Sequence, residues 1–333
     1  MPKTQIFFTL LAVLSLLQVQ AAAGQSRLSH PAPKSPYERF MEKGALRDFP
    51  PLPWSKAFQR NSRVYIVKTN TSMDVAEYVG TVMDAIHYHY CRLFGVGGTR
   101  KTRINVFRTH QEMADWAVKN CRFNVKPGVL GFYTTYSGGT ICVIWKEIHN
   151  NHPQTVLMHE GTHQFVSSVY GSNALPIWLN EGFAVYFENS HFDGRNLDVG
   201  RVPRTRLKLL QMEMKENRHL SLATLFATGQ PQFDVRCYGA AWSFVYWLAH
   251  GGKQYEMEFR RRALARYVND CKNNRKDGKR LIAYLGRNME QVEKEWKEWV
   301  LKLDPNDLYG GVQPEKTRLN KLREEKKART PGQ

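Results

Sequence analysis

At 333 residues, with 42% hydrophobic and 23% charged side chains, the chain has an ordinary complement for one or two globular domains that bury a core. Its formal charge of +18 is not ordinary. An excess of that size suits nucleic acid, an anionic envelope or membrane surface, or acidic substrates, and says nothing about fold. Beyond one N-terminal run no stretch is apolar enough to cross a bilayer, which excludes a polytopic membrane protein.

Met1 to Ala23 has Lys3 in a short basic start, an apolar run from Ile6 to Leu17 and the small residues Ala21, Ala22 and Ala23. This reads as a cleavable secretory signal, with a signal anchor as the alternative. The mature chain is then expected to be soluble, secreted or periplasmic, and without a transmembrane span. From Gly24 to about Asn61 six prolines stand among polar residues (Pro31, Pro33, Pro36, Pro50, Pro51, Pro53), which favours an extended linker or wrapping arm. Trp54 and Phe58 are candidates to pin its end.

Strands and helices then alternate. Val64 to Val67 reads as a strand, Met73 to Leu93 as an amphipathic helix, Ile104 to Phe107 as a second strand and Gln111 to Val118 as a short helix. Gly131 to Tyr136 and Thr140 to Trp145 flank Ser137-Gly138-Gly139, a hairpin signal.

Pro153 opens the next helix, which carries His159-Glu160-Gly161-Thr162-His163, an H-E-x-x-H pattern. At i and i+4 both imidazoles leave one helix face, about 5–6 Å apart at Cβ, and form a two-point metal grip. Glu160 lies one step round the helix, where its carboxylate can reach a metal-bound water without ligating the metal. Downstream, Leu175-Pro176-Ile177-Trp178-Leu179-Asn180-Glu181-Gly182-Phe183-Ala184 suits a second helix with Pro176 in its first turn. Packed antiparallel to the first, it could present Glu181 to the two histidines. Two imidazoles and one carboxylate with a position left for water are the ligand set of a catalytic zinc, one per chain.

This pair of motifs resembles the gluzincin branch of the zinc metallopeptidases, the peptidase MA-like superfamily. The resemblance implies an α+β, zincin-like fold: a small mixed sheet plus an active-site helix, followed by a helical C-terminal subdomain. It implies zinc on His159, His163 and Glu181, with Glu160 as general base. The Asn-Glu-Gly-Phe-Ala run and Gln164 are similar to the aminopeptidase-like members. The gap between His163 and Glu181 is one residue shorter than theirs, and their Gly-x-Met-Glu-Asn element is absent. The chain more closely resembles uncharacterised secreted proteins with a His-Glu-Gly-Thr-His-Gln core. The similarity runs roughly from Arg63 to Leu303. It also implies that one edge of the hairpin, with Gly131, Phe132 and Tyr133, binds extended substrate by backbone pairing.

After Glu188, His191 either lines the cleft or sits on a solvated loop. Arg201, Arg204, Arg206 and Lys208 either receive an anionic or carboxylate group or form a solvated helix start. Cys237 to Leu248 reads as a buried helix. It is similar to the aminopeptidase-like helix whose Tyr stabilises the oxyanion, although Tyr238-Gly239-Ala240 has its small pair shifted by one. Tyr238 is the candidate for that role and Tyr246 the second choice, with a core aromatic as the alternative for both. Gluzincins often place an Asp four residues after the third ligand to support a histidine. Here that position is Val185, leaving Asn180 or Glu188 to substitute. Tyr255 to Asn273 and Met289 to Leu303 read as helices, with Arg260, Arg261 and Arg262 as a solvated basic face.

The organisation expected is therefore a signal (1–23), an arm (24–61), an α/β zincin subdomain (62–190), a helical subdomain (191–306) and a basic, disordered tail (307–333) able to tether to anionic polymers. Five cysteines in an exported chain make oxidation plausible, with Cys91–Cys121 and Cys237–Cys271 as pairs and Cys142 left as a strand hydrophobe. The function expected is hydrolysis of peptides or proteins. A peptidase-like zinc domain that binds an envelope partner or anionic polymer is the alternative. The secretory signal and the matched Glu181 count against nucleic acid.

Overall fold

The computed structural model describes residue 40 and residues 48–96, 100–146, 152–194 and 196–312. The expected signal, most of the arm and most of the basic tail lie outside them. Among the described residues no helix is long and apolar enough to cross a membrane.

The architecture is α+β: a small mixed sheet, the helices laid on it and a helical C-terminal region. The sheet holds β1 (Phe58–Asn61), β2 (Tyr65–Thr69), β3 (Thr102–Phe107), β4 (Gly131–Thr134) and β5 (Thr140–Ile144) in the order β1-β2-β3-β5-β4. β2, β3 and β5 run parallel, while β1 and β4 are antiparallel edges. β1 lies within the stretch expected to be arm. All four of its residues are exposed, so it lacks the alternation that marks a strand. All five residues of β5 are buried, because both faces of the sheet are covered there.

Connection between β2 and β3 is made by α1 (Met73–Phe94), with Ser72 accepting from Val75 N at its start and Gly95 left-handed at its end. α2 (His110–Cys121) follows β3 and begins with a Thr109–Glu112 capping box. It covers the opposite face of the sheet from α1, where Phe107, Met113, Cys142 and Ile144 make a small second cluster. Trp54 stacks on Phe107 at 4.4 Å and pins the arm as expected. Phe58 does not, being 36% exposed on β1, whereas Phe40 and Phe49 are buried in the main core.

α3 (Pro153–Tyr170) and α4 (Ile177–Glu188) follow, then the short ribbon of β6 (His191–Phe192) and β7 (Leu197–Asp198). The helical region contains α5 (Arg204–Lys215), α6 (Leu222–Ala227), α7 (Val235–His250), α8 (Gln254–Lys272), α9 (Gly278–Tyr284) and α10 (Met289–Leu301). α7 is its axis, with Trp242, Phe244, Tyr246 and Trp247 buried among α4, α8 and α10. One continuous core runs from the sheet through α4 and α7 to Trp296 and Val300. Val202 N donates to Leu308 O and Tyr246 OH to Tyr309 O, so residues 308–309 are tied to this region.

All five cysteines are free thiols, which corrects the expected pairings. Cys91 packs with the main core on the α1 face, whereas Cys121 lies on the α2 face beside Thr134 and Cys142, so the sheet separates the first pair. Cys271 instead meets the Tyr267 hydroxyl, and Cys237 sits beside Asp234 in the first turn of α7.

At the end of α7, His250 Nε2 lies 3.1 Å from the Tyr186 hydroxyl. Burial, with the Arg261 cation adding to it, pushes the pKa of His250 down to about 3. Native His250 is therefore neutral where an unfolded histidine is already taking up a proton. Its contribution to stability is complete above the unfolded value near 6.5 and is lost as pH falls below it, at up to about 1.4 kcal/mol per pH unit. Between pH 7 and pH 5 this amounts to about 2 kcal/mol. Denaturant unfolding at the two pH values should show His250→Gln losing less stability than wild type by that margin. An equal loss in both proteins would remove His250 as the acid-sensitive group.

Candidate metal centre

α3 enters the site as a well-tied helix. His152 accepts Gln154 N at its start through Nδ1, Pro153 takes the position that needs no donor, and Tyr90 donates its hydroxyl to Met158 O at 2.8 Å. These anchors orient the face that carries His159 and His163, whose rings stand 4.8 Å apart, nearly perpendicular.

α4 packs against both α3 and α7. Its approach to α7 requires glycine: a Cβ on Gly182 would stand 2.8 Å from the Ala241 carbonyl oxygen and 2.7 Å from Val245 Cγ2. The first neighbour is backbone and cannot move aside. Gly182→Ala is expected to cost about 1–3 kcal/mol by overpacking and to push Glu181 out of register. Thermal unfolding and metal affinity should both fall; a variant unchanged in both would show that the two helices can separate freely.

The close packing brings three donors together. One ring nitrogen from each of His159 and His163 and one oxygen of Glu181 are the members of a group whose ligand atoms lie within 4.8 Å of one another. Glu181 Oε2 is 3.3 Å from His159 Nε2 and 3.5 Å from His163 Nε2. The edge of a tetrahedron with arms of 2.0–2.1 Å is about 3.3–3.4 Å, so these spacings suit a small divalent cation. Glu181 is only 6% exposed, and Oε2 is a buried acceptor with no hydrogen bond. A carboxylate oxygen buried at that distance from two nitrogens, without a donor, has the environment of a ligand atom. This cluster could hold a metal ion.

Support for the ligands is asymmetric. His159 Nδ1 lies 2.7 Å from Glu188 Oε2, two helical turns beyond Glu181 on the same face of α4. With Nδ1 engaged by Glu188, a metal-bound His159 would keep its proton on Nδ1 and offer Nε2 to the ion. Val185 is buried in the core, so Glu188 takes the supporting role. His163 Nδ1 and Asn180 Oδ1 are both buried without a hydrogen bond.

The electrostatics follow the geometry. Burial works against a cation on His159, yet the carboxylates of Glu181 and Glu188 outweigh it and hold its pKa well above the ordinary value. Burial likewise disfavours a charged Glu181, but the two imidazoles prevail and hold its carboxyl well below the usual range. A metal ion held here would meet an ionised Glu181 and would compete with a proton for His159.

Glu160 is half-buried, and its charge is felt at both His159 and Tyr238. Tyr238, in the first turn of α7, has its ring 6.3 Å from that of His159. Burial, reinforced by the Glu181 carboxylate, pushes its hydroxyl up to about 12. Tyr246 is not at the site: its hydroxyl is spent on Tyr309 O.

β4 is an edge strand and packs along α3. A Cβ on Gly131 would meet Val156 of α3 at 2.6 Å, and Tyr133 donates its hydroxyl to Ser167 of the same helix at 3.2 Å. Phe132 points to the other face, 5.0 Å from Phe123. Among the described residues no strand pairs with the outer edge of β4. His191 is exposed on β6. Of the arginine cluster, Arg201 pairs with Asp198 and Arg204 donates to Asn306, while Arg206 turns inward to Glu188.

Residues 154–269 match a family described as Protein of unknown function (DUF1570). The matched segment begins one residue into α3 and ends within α8, so it holds His159, Glu160, His163, Glu181, Glu188, Arg206 and Tyr238. That description names no activity. No curated protein matches the chain.

Proposed function

We propose that the chain is an exported zinc metallopeptidase that hydrolyses bonds in peptide or protein substrates. The observation that carries this reading is the buried, unbonded Oε2 of Glu181, set 3.3 and 3.5 Å from the Nε2 atoms of His159 and His163. Three protein donors of this kind leave a fourth position for water, as catalytic zinc sites do.

Bound zinc would supply Lewis acidity and a water of lowered pKa. Glu160, whose charge reaches both His159 and Tyr238, takes the proton from the attacking water and passes it to the leaving amine. The hydroxyl of Tyr238 stays protonated at neutral pH and donates to the developing oxyanion. Glu188 keeps the His159 ring oriented through Nδ1. The open edge of β4, through Gly131, Phe132 and Tyr133, pairs with the backbone of an extended substrate.

Elemental analysis of purified wild type and Glu160→Gln, beside cleavage of a mixed peptide library by both, tests the reading. One zinc in each with cleavage by wild type alone supports it. Zinc in both without cleavage would favour a peptidase-like binding protein. No zinc in either would remove the metal centre.

A further inference from the structure

Four side chains from four helices close into a ring beside the metal ligands: His159 on α3, Glu188 on α4, Arg206 on α5 and Tyr238 on α7. Glu188 uses both oxygens, Oε2 at 2.7 Å from His159 Nδ1 and Oε1 accepting from Arg206 Nη2 at 3.3 Å. The Arg206 guanidinium carbon lies 5.2 Å from the centre of the Tyr238 ring, and that ring lies 6.3 Å from His159. One planar cation thus touches the carboxylate that orients a ligand and the aromatic ring assigned to the oxyanion.

We propose that Arg206 is a positioning residue, holding Glu188 against His159 and Tyr238 over the same site from a single fixed point. Its own backbone is secured by the buried Leu207, Leu210 and Met214 of α5. α5 packs on α7, with the Arg206 carbonyl 3.7 Å from where a Cβ on Gly239 would stand, next to Tyr238 in the chain. Glu188 is 8% exposed, so without the guanidinium Oε1 would be a nearly buried charged oxygen short of a donor. The carboxylate could then rotate and release Nδ1. Lysine does not replace arginine here, because a point ammonium cannot bind the carboxylate at its edge while laying a flat cation over the ring. The Glu188 arm needs only a bound metal; the Tyr238 arm rests on the peptidase reading.

The test is a pair of double-mutant cycles, with zinc affinity from chelator competition as one readout and kcat and KM on a peptide cut by wild type as the other. Arg206→Ala and Glu188→Gln should each weaken zinc about tenfold. The double variant should be no weaker than either single one, since both break the same support. Arg206→Ala should lower kcat with KM little changed, and should lower it no further in a Tyr238→Phe background. Arg206→Lys should restore neither. Arg206→Met keeps the stem packing and repeats the readings if alanine loosens α5. Wild-type zinc affinity in Arg206→Ala, additive zinc losses in the double variant or full rescue by lysine would overturn the proposal. If wild type cleaves nothing, the peptidase reading and the Tyr238 arm fall together, and the zinc cycle decides the Glu188 arm by itself.

Discussion

Glu160→Gln is expected to keep one zinc per chain and to lose turnover by about 10²–10⁴-fold, the range a positioned general base contributes. That corresponds to about 2.7–5.5 kcal/mol of barrier. The substitution preserves volume and hydrogen-bonding reach, and Glu160 is not a member of the donor cluster, so zinc binding has no reason to change. What disappears is the carboxylate lone pair that takes the proton from the attacking water. Because the loss falls on a step made only in the transition state, kcat should carry nearly all of it and KM very little. Full activity in the purified variant would reassign the base.

Glu181→Ala should strip the metal instead. Zinc-binding energies of about 10–16 kcal/mol shared over three or four donors give roughly 2.5–5 kcal/mol per donor, or about 10²–10⁴-fold in affinity. The variant should lose stoichiometric zinc on dialysis against a mild chelator that leaves wild type loaded. Retention of one zinc would take Glu181 out of the ligand set. The pH dependence has a definite sign. Since the metal-free site holds the pKa of His159 well above its ordinary value, a proton competes with the metal. Apparent affinity should rise with pH, about tenfold per unit for one displaced proton, until that pKa is passed.

Much of this centre is local, and what is local is legible in the residues. The i, i+4 placement of His159 and His163 follows from helix periodicity alone, as does the position of Glu160 beside them. Glu181 is legible at one remove: its helix is announced by Pro176, and the short connection to α3 makes the two helices neighbours. The parallel strands of the sheet show as apolar runs, and Gly131 to Tyr136 beside Thr140 to Trp145 shows as a hairpin because of the glycines between them.

The sequence by itself therefore determined the helix that carries His159 and His163, its partner helix, the sheet-then-helices order and the candidate ligands, the two histidines through a one-turn spacing and Glu181 through the short connection between the helices. Only the tertiary structure decided the rest. Glu188 rather than Asn180 contacts His159 because the packing of α4 on α3 brings Glu181 and Glu188, two turns apart on one face of α4, to the two nitrogens of one ring on α3. Arg206 is indistinguishable in composition from Arg201 and Arg204, and packing of α5 on α7 turns it alone of the three to Glu188. β1 has no alternating pattern because an exposed edge strand buries neither face, and it exists through its backbone pairing with β2. The Cys91–Cys121 pairing failed because distance along the chain does not report which side of a sheet a side chain occupies, and the two end on opposite sides.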